Sequence, residues 1–399
     1  MNELKITPIH PLTLPKELFS YVTVLSPFEA EILNFVDAFS KKLIEDFRAY
    51  PEMVSLGFWM RNTHIEQLQQ RFEAYEGLHV ARGTVLHFAP SNVDTIFIYS
   101  WFLSLLTGNR NIIRLSTRQS KQSAALIALL QELFENEAHK HIAKRTVILQ
   151  YDHDETITAW LSAQCDTRVI WGGDKTITDI RAVPIPPTAT ELTFADKFSF
   201  AVINASAFLK LENTGAFIHD FYNDAFWFGQ QACSSIRMII WVGDKVTCKA
   251  ASEYFIQLLS DYESQKPLEL SAADVMNKQV ALYALGSTGM GSVNTYNDQH
   301  IHTIKLSSLD TMYEEQHCGT GLLYEYYADS LEKIFLHINK KHQSLSYFGF
   351  EKEQFADMIR KYQPHGIDRI IPVGKSLEFS HVWDGYDLMR SFTREIKIT

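Results

Sequence analysis

The segment Phe228-Gly-Gln-Gln-Ala-Cys-Ser-Ser-Ile-Arg-Met-Ile-Ile-Trp-Val sets Cys233 among small residues, immediately before a strongly apolar run. A thiol on such a turn can open into a cleft. Neighbouring backbone N–H groups then stabilise both its thiolate and the oxyanion formed when it attacks a carbonyl. The competing reading is a small buried hydrophobe, which is what an arbitrary cysteine usually is, and this segment alone favours it. Cys165, Cys248 and Cys318 lack a comparable setting. The four cysteines form no CxxC pair and have no His-rich partner spacing. Neither a metal site nor a disulfide framework is therefore expected, and a reducing, cytoplasmic compartment fits. Two further stretches could serve a reaction. His87-Phe-Ala-Pro-Ser-Asn-Val-Asp carries Asn92 on a sharp turn, and Val169-Ile-Trp-Gly-Gly-Asp-Lys-Thr-Ile runs into Gly172 and Gly173 at a helix entrance. Backbone N–H groups and the helix dipole can hold a diphosphate there, although paired glycines also simply make turns.

The apolar pattern that must position these residues alternates between short β-like runs and helical stretches, which predicts an α/β protein with a largely parallel sheet. Strands are expected at 84–89, 111–115, 146–150 and 168–171, with helices at 94–106 and 120–137 between them. Leu126, Leu129, Leu130, Leu133 and Phe134 fall on one stripe of the second helix, which should cover a sheet face. This is the rhythm of a dinucleotide-binding domain. The run Val183-Pro-Ile-Pro-Pro-Thr cannot continue a helix or a central strand, so the first domain is placed at residues 1–198. A second α/β series gives a domain at 199–374, with strands expected at 199–203, 236–242, 280–285 and 302–305 and helices around 214–228, 245–260 and 330–340. Residues 375–399 form a closing segment whose Phe392, Ile396 and Ile398 alternate roughly with polar residues. Such a terminal strand exposes an edge that needs a partner.

With 399 residues, 46% of them hydrophobic, the chain can bury a large core. Its net charge of −10 and the lack of a basic stripe argue against nucleic acid as a partner. No secretory signal is expected. The longest apolar stretch, 95–106, falls short of the roughly 20 residues that cross a bilayer, and reads as a buried helix rather than a transmembrane segment.

Taken in order, these elements resemble the aldehyde dehydrogenase superfamily, and within it the long-chain acyl-CoA reductase (LuxC) family. Pro90-Ser-Asn92 is similar to the superfamily's Pro-Trp-Asn, Thr107-Gly-Asn-Arg-Asn-Ile-Ile-Arg114 to its Gly-Asn…Lys-Pro segment, and Trp171-Gly-Gly-Asp174 to its Phe-Thr-Gly-Ser. Gln231-Ala-Cys233 matches the Gln-x-Cys of the nucleophile loop, and the stretch from Cys318-Gly-Thr-Gly-Leu-Leu through Ser344-Leu-Ser-Tyr-Phe-Gly-Phe is similar to the Phe-Gly-Pro segment and the strand after it. Leu56-Gly-Phe-Trp-Met-Arg61, Gly366-Ile-Asp-Arg-Ile-Ile-Pro-Val-Gly374 and Trp383-Asp-Gly385 suggest the branch. The resemblance covers essentially the whole chain. It implies a Rossmann-type dinucleotide-binding domain, an α/β catalytic domain and an oligomerisation strand, hence a homo-oligomer. It also implies NADPH-dependent reduction of an activated fatty acyl group to the aldehyde, drawn from acyl-CoA, an acyl-adenylate or an acyl-donor protein.

Carried across by position, the resemblance makes Cys233 the nucleophile and Asn92 an oxyanion donor. The superfamily's Glu-Leu-Gly-Gly-Lys segment supplies the base that activates water, whereas the matching stretch here is Thr193-Phe-Ala-Asp-Lys-Phe-Ser. Without that base a covalent thioester should survive long enough to be reduced; Glu191, two residues away, is the alternative base. Arg114 stands where the family's lysine meets the adenosine ribose. Thr117 replaces a carboxylate that would repel a 2′-phosphate, so Thr117, with Arg118 and Lys121 nearby, admits NADPH. Glu315 is placed on the nicotinamide ribose, with Gln316 within one register of it. Two other readings stay open: an aldehyde dehydrogenase that oxidises its substrate, and a non-catalytic scaffold of the same fold.

Overall fold

A computed structural model of the chain describes residues 5–90, 95–118, 120–288, 291–294, 300–309 and 312–398. It divides into two compact units, Met1–Ala195 with Phe379–Thr399, and Asp196–Glu378. The first unit contains β1 (Thr7–His10), β2 (Leu78–Ala81), β3 (Thr84–Phe88), β4 (Arg110–Leu115), β5 (Thr146–Gln150), β6 (Thr167–Trp171) and β7 (Thr190–Phe194). All but β2 join one sheet, in the order β1-β5-β4-β3-β6-β7; β3 to β7 run parallel and β1 lies antiparallel on the edge. From β3 the chain steps outward to β4 and β5, then returns to the other side of β3 for β6 and β7. That reversal makes a topological switch point between β3 and β6, where sheets of this kind open a crevice beyond the carboxyl ends of their strands.

Side-chain pattern explains the layers. The helix Ile96–Leu106 is buried at every position, as its apolar run predicted. Phe35 and Phe39 pack on Trp101 at ring distances of 5.7 and 6.3 Å, and Trp59 packs on Phe102 at 5.0 Å. The helix Lys121–Glu135 opens on Ser120, whose hydroxyl accepts the Ser123 N–H, and buries the whole predicted stripe from Leu126 to Phe134.

In the second unit lie β8 (Phe198–Asn204), β9 (Ile236–Val242), β10 (Gly291–Asn294), β11 (His302–Leu306), β12 (Leu322–Ala328), β13 (His342–Phe348) and β14 (Arg369–Pro372). Their order is β10-β11-β12-β9-β8-β13-β14, parallel throughout except for the β10–β11 pair. The central strands are buried on both faces, as parallel sheets covered by helices must be. Phe200, Val202, Met238 and Ile240 enter one core cluster, while Ala201, Ile203, Ile239 and Trp241 enter the other. Pairing slips on both sides of the start of β8. Ser199 faces Ile236 but Phe200 faces Met238, and Phe198 faces His342 but Phe200 faces Leu345. Each neighbouring strand thus carries one extra residue there, a local bulge that re-aims side chains.

Two expectations fail here. The run 280–285, expected as a strand, lies inside the helix Ala272–Thr288. Ala281, Leu282 and Leu285 are buried while Val280 and Tyr283 are 62% and 75% exposed, a helical face that a short apolar run does not distinguish from a strand. The helix expected over 330–340 is confined to Leu331–Phe335, because the chain must turn back into β13.

The return segment adds β15 (Val382–Trp383), β16 (Tyr386–Asp387) and β17 (Thr393–Ile396) to the first unit. β17 pairs antiparallel with β2 of its own chain, Thr393 opposite Ala81 through Ile396 opposite Leu78. The terminal strand read from the alternation thus has one edge satisfied within its own chain.

Candidate active site

The nucleophile loop leaves the helix Thr214–Phe226 through a kinked turn at Trp227–Gln230. Phe228 and Gln230 hold φ of 56° and 63°, a left-handed conformation that costs free energy in residues other than glycine and persists only where surrounding bonds impose it. Those bonds come from Gln230. Its buried amide donates to the carbonyls of Ile236 (3.0 Å) and Leu322 (2.9 Å) and accepts the Gly321 N–H (3.0 Å). Gln231 donates to the Cys318 carbonyl at 2.9 Å, and Thr320 N–H donates to Gly229 at 3.1 Å. The loop is thereby tied to the starts of β9 and β12.

Cys233 comes next, half-buried, with its carbonyl accepting the Ser199 hydroxyl at 2.6 Å. Its sulfur accepts a hydrogen bond from the Gln343 carboxamide at 3.3 Å. The other thiols differ. Burial pushes Cys165 up to about 12 and Cys248 up to about 11, and raises Cys318, so they stay protonated and poorly nucleophilic at neutral pH. Arg237 on β9 is buried, with Nη1 donating to the Lys197 carbonyl at 3.2 Å. Burial lowers its guanidinium below the usual value, opposed first by the carboxylate charge of Asp196.

The loop 312–322 is shaped by buried groups, among them Lys278, whose ammonium donates to the Thr320 carbonyl at 3.1 Å. His317 accepts the Gly319 N–H on Nδ1 (3.0 Å) and places Nε2 2.9 Å from the Leu322 carbonyl. Burial first, then Arg237, holds its pKa well below the usual value. Gly321 has φ of 88°, and a Cβ on it would meet the His300 carbonyl at 2.1 Å, so only glycine fits. Glu314 is engaged: Asn339 donates to it at 3.1 Å and His342 Nε2 lies 2.7 Å away. Glu315 on the next position is exposed.

In the first unit, Arg114 near the end of β4, Thr117 just past it, and Gly172 and Gly173 just past β6 lie at the carboxyl ends of strands on either side of β3. Gly173 caps the helix Asp174–Arg181. A Cβ there meets nothing within 4 Å, whereas one on Gly172 would press Thr176 at 3.2 Å. The fold itself therefore does not require glycine at 173, while a diphosphate held on the helix N-terminus would. Arg114 donates to the Tyr151 carbonyl at 3.0 Å and lies over that ring at 5.1 Å. Its Nε is buried with no partner among the described residues. These donors fit a dinucleotide. Thr117 donates to Asp152 Oδ1 at 3.1 Å, so a carboxylate missing from position 117 is supplied from beyond β5. Only pairing of β4 with β5 brings Asp152 there, and sequence reasoning missed it, as it missed Gln230 and Gln343. Glu191, the alternative base, is held by Arg168 at 2.7 Å and Arg181 at 2.9 Å. Asn92 lies outside the described residues.

The architecture is that of an aldehyde dehydrogenase. An NAD-dependent benzaldehyde dehydrogenase from Corynebacterium glutamicum superposes with a TM-score of 0.66 at 13% identity, over 92% of this chain and 82% of that one. Aldehyde dehydrogenase 21 from Physcomitrella patens gives 0.67 at 11% identity, over 91% and 83%. Residues 52–395 match the acyl-CoA reductase (LuxC) family, and the chain belongs to that family. It is 27% identical over 168 residues to the long-chain acyl-protein thioester reductase of Aliivibrio fischeri and 25% identical over 167 residues to the long-chain acyl-protein thioester reductase 2 of Photobacterium leiognathi. Each match spans 41% of this chain and 33% of the relative.

Proposed function

We propose that the protein reduces an activated long-chain acyl group to the aldehyde with NADPH, through a thioester on Cys233. The observation that carries this reading is the contrast among the thiols. Cys165 and Cys248 are sealed in the interior, while Cys233 is half-open on a strained loop with a hydrogen-bond donor at its sulfur. The Cys233 thiolate attacks the acyl carbonyl of an acyl-CoA or an acyl-donor protein, and the donor thiolate departs. Asn92 is the proposed oxyanion donor. When bound, the nicotinamide supplies hydride to the acyl carbon; the C–S bond then breaks, releasing aldehyde and returning the thiolate. Glu191, bound by two arginines, is withheld from water activation, which favours reduction over hydrolysis.

Gly172 and Gly173 are assigned to the diphosphate, Arg114 and Thr117 to the adenosine ribose, and Glu315 to the nicotinamide ribose, its neighbour Glu314 being engaged elsewhere. Arg118 and Lys121 favour the 2′-phosphate, and Asp152 opposes it. A homo-oligomer assembled through the outer edge of the β2–β17 sheet, and a cytoplasmic location, complete the proposal. No helix among the described residues is long and apolar enough to cross a membrane.

NADPH oxidation across an acyl-CoA chain-length series, with wild type and Cys233→Ala, tests the reading. Chain-length-dependent turnover lost in the variant supports it. Aldehyde-dependent NAD(P)⁺ reduction in the absence of CoA would select an oxidising dehydrogenase instead, and no Cys233-dependent acylation at all would leave a scaffold.

A further inference from the structure

We propose that Gln343 is the positioning residue for the Cys233 sulfur, and that its neutrality protects the acyl intermediate from water. The inference rests on Cys233 being the nucleophile. Gln343 is fully buried, yet its carboxamide nitrogen reaches Sγ at 3.3 Å. A neutral side chain buried in a parallel sheet and aimed at a half-open sulfur needs a local cause, and the sheet provides one. Between His342 and Leu345, β13 carries one residue more than β8 opposite it, so Gln343 and Ser344 sit in a bulge, the device by which strands re-aim a side chain beside a site. On the other flank of β8, the extra residue between Ile236 and Met238 is Arg237, a buried guanidinium whose Nη1 donates to the Lys197 carbonyl at 3.2 Å. Ser199, between the two bulges, donates to the Cys233 carbonyl at 2.6 Å and accepts the Ser344 N–H at 3.1 Å. It thus fixes the distance between the nucleophile loop and the bulge that bears Gln343.

The chemistry rests on the nature of a carboxamide. Its N–H stabilises a thiolate, and sulfur in a thioester is a much poorer acceptor, so the bond favours return of the thiolate when aldehyde leaves. Having no proton-accepting nitrogen, the amide cannot take a proton from water. A carboxylate of the same shape could: water would add to the acyl carbon, its proton would pass to the carboxylate, and the C–S bond would break to give acid and thiol.

The test uses Gln343→Met, which removes the donor at similar volume, and the isosteric Gln343→Glu. Alkylation of Cys233 by iodoacetamide is followed by mass spectrometry from pH 5 to 10, and the lifetime of the acyl-enzyme formed from radiolabelled palmitoyl-CoA is measured without reductant. The expected result is a pH midpoint of Cys233 alkylation that rises by about one unit or more in both variants, the size of a hydrogen bond to a charged group. The Gln343→Glu acyl-enzyme should also release free fatty acid about a hundredfold faster than wild type. Folded variants with an unchanged alkylation midpoint and an unchanged acyl-enzyme lifetime would overturn the role of Gln343. If Gln343→Met proves unstable, the isosteric glutamate decides by itself, through the fatty acid it releases or fails to release. Failure of the parent reading looks different: wild type would not acylate, or acylation would persist in Cys233→Ala.

Discussion

The two units hold their candidate residues by different means. At the carboxyl ends of the first sheet, strand order does the work: β4, β3 and β6 end side by side, and that order brings the Gly172–Gly173 pair and Arg114 to one end of the sheet. At the start of β9 in the second unit, backbone geometry alone would not hold the loop in its left-handed turn. Gln230 does so with side-chain bonds to β9 and β12, while Ser199 of β8 and Gln343 of β13 bond Cys233. A nucleotide crevice can be built from repetitive topology because its ligand brings most of the recognition groups. A single reactive sulfur needs its surroundings placed to within a hydrogen bond, and that requires contacts far apart in sequence.

Breaking each region should separate the two designs. Cys233→Ala is expected to abolish acyl labelling and to lower NADPH-dependent reduction by about a thousandfold or more; a variant that still carries labelled acyl group on another residue would locate the nucleophile elsewhere. Thiol chemistry sharpens the point. A thiol raised to about 12, as Cys165 is, is ionised in only about one molecule in ten thousand at pH 8, and thiolate is the reactive form. Iodoacetamide at that pH should modify Cys233 well over tenfold faster than Cys165 or Cys248, the two buried thiols reacting only as the pH rises or the fold opens. Equal labelling rates by peptide mapping would remove the distinction.

Glu191 offers a control of the opposite kind. Replacing it with Ala strands Arg168, which is 2% exposed, and should cost about 3–5 kcal/mol of stability in denaturant unfolding, while the lifetime of the acyl-enzyme stays unchanged. A lengthened lifetime would show that Glu191 is the hydrolytic base after all. In the crevice, Gly173→Ala should leave the melting temperature within a degree or two of wild type, since open space surrounds the new methyl, and raise the cofactor KM by about tenfold. Gly172→Ala should lose stability as well, because Thr176 must move. The smallest effect is assigned to Asp152→Asn: removing that charge should shift the ratio of NADPH to NADH specificity several-fold toward NADPH, measured as kcat/KM for each.

Much of the fold was legible because local pattern and long-range order agree. The strands β3, β5, β6 and β9 fall where their short β-branched and apolar runs predicted, and the stripe from Leu126 to Phe134 is buried as its spacing required. The run 280–285 was misread because a short, mostly apolar run satisfies either period until its neighbours are known. The terminal strand read from Phe392, Ile396 and Ile398 is present, but its partner in this chain, β2, lies more than 300 residues earlier and left no sign in the pattern.

By itself the sequence determined the alternation of strand and helix, the glycine pair at the end of β6, and the small-residue turn that carries Cys233, because each depends on residues within a few positions of one another. Tertiary structure alone decided that Glu191 is spent on two arginines, that Asp152 stands beside Thr117, and that Gln343 meets the sulfur across 110 positions of chain. Those contacts arise from strand neighbours and from bulges in their pairing. A register shift of one residue carries a side chain to the other face of a sheet, and no local pattern records which register the folded chain selects.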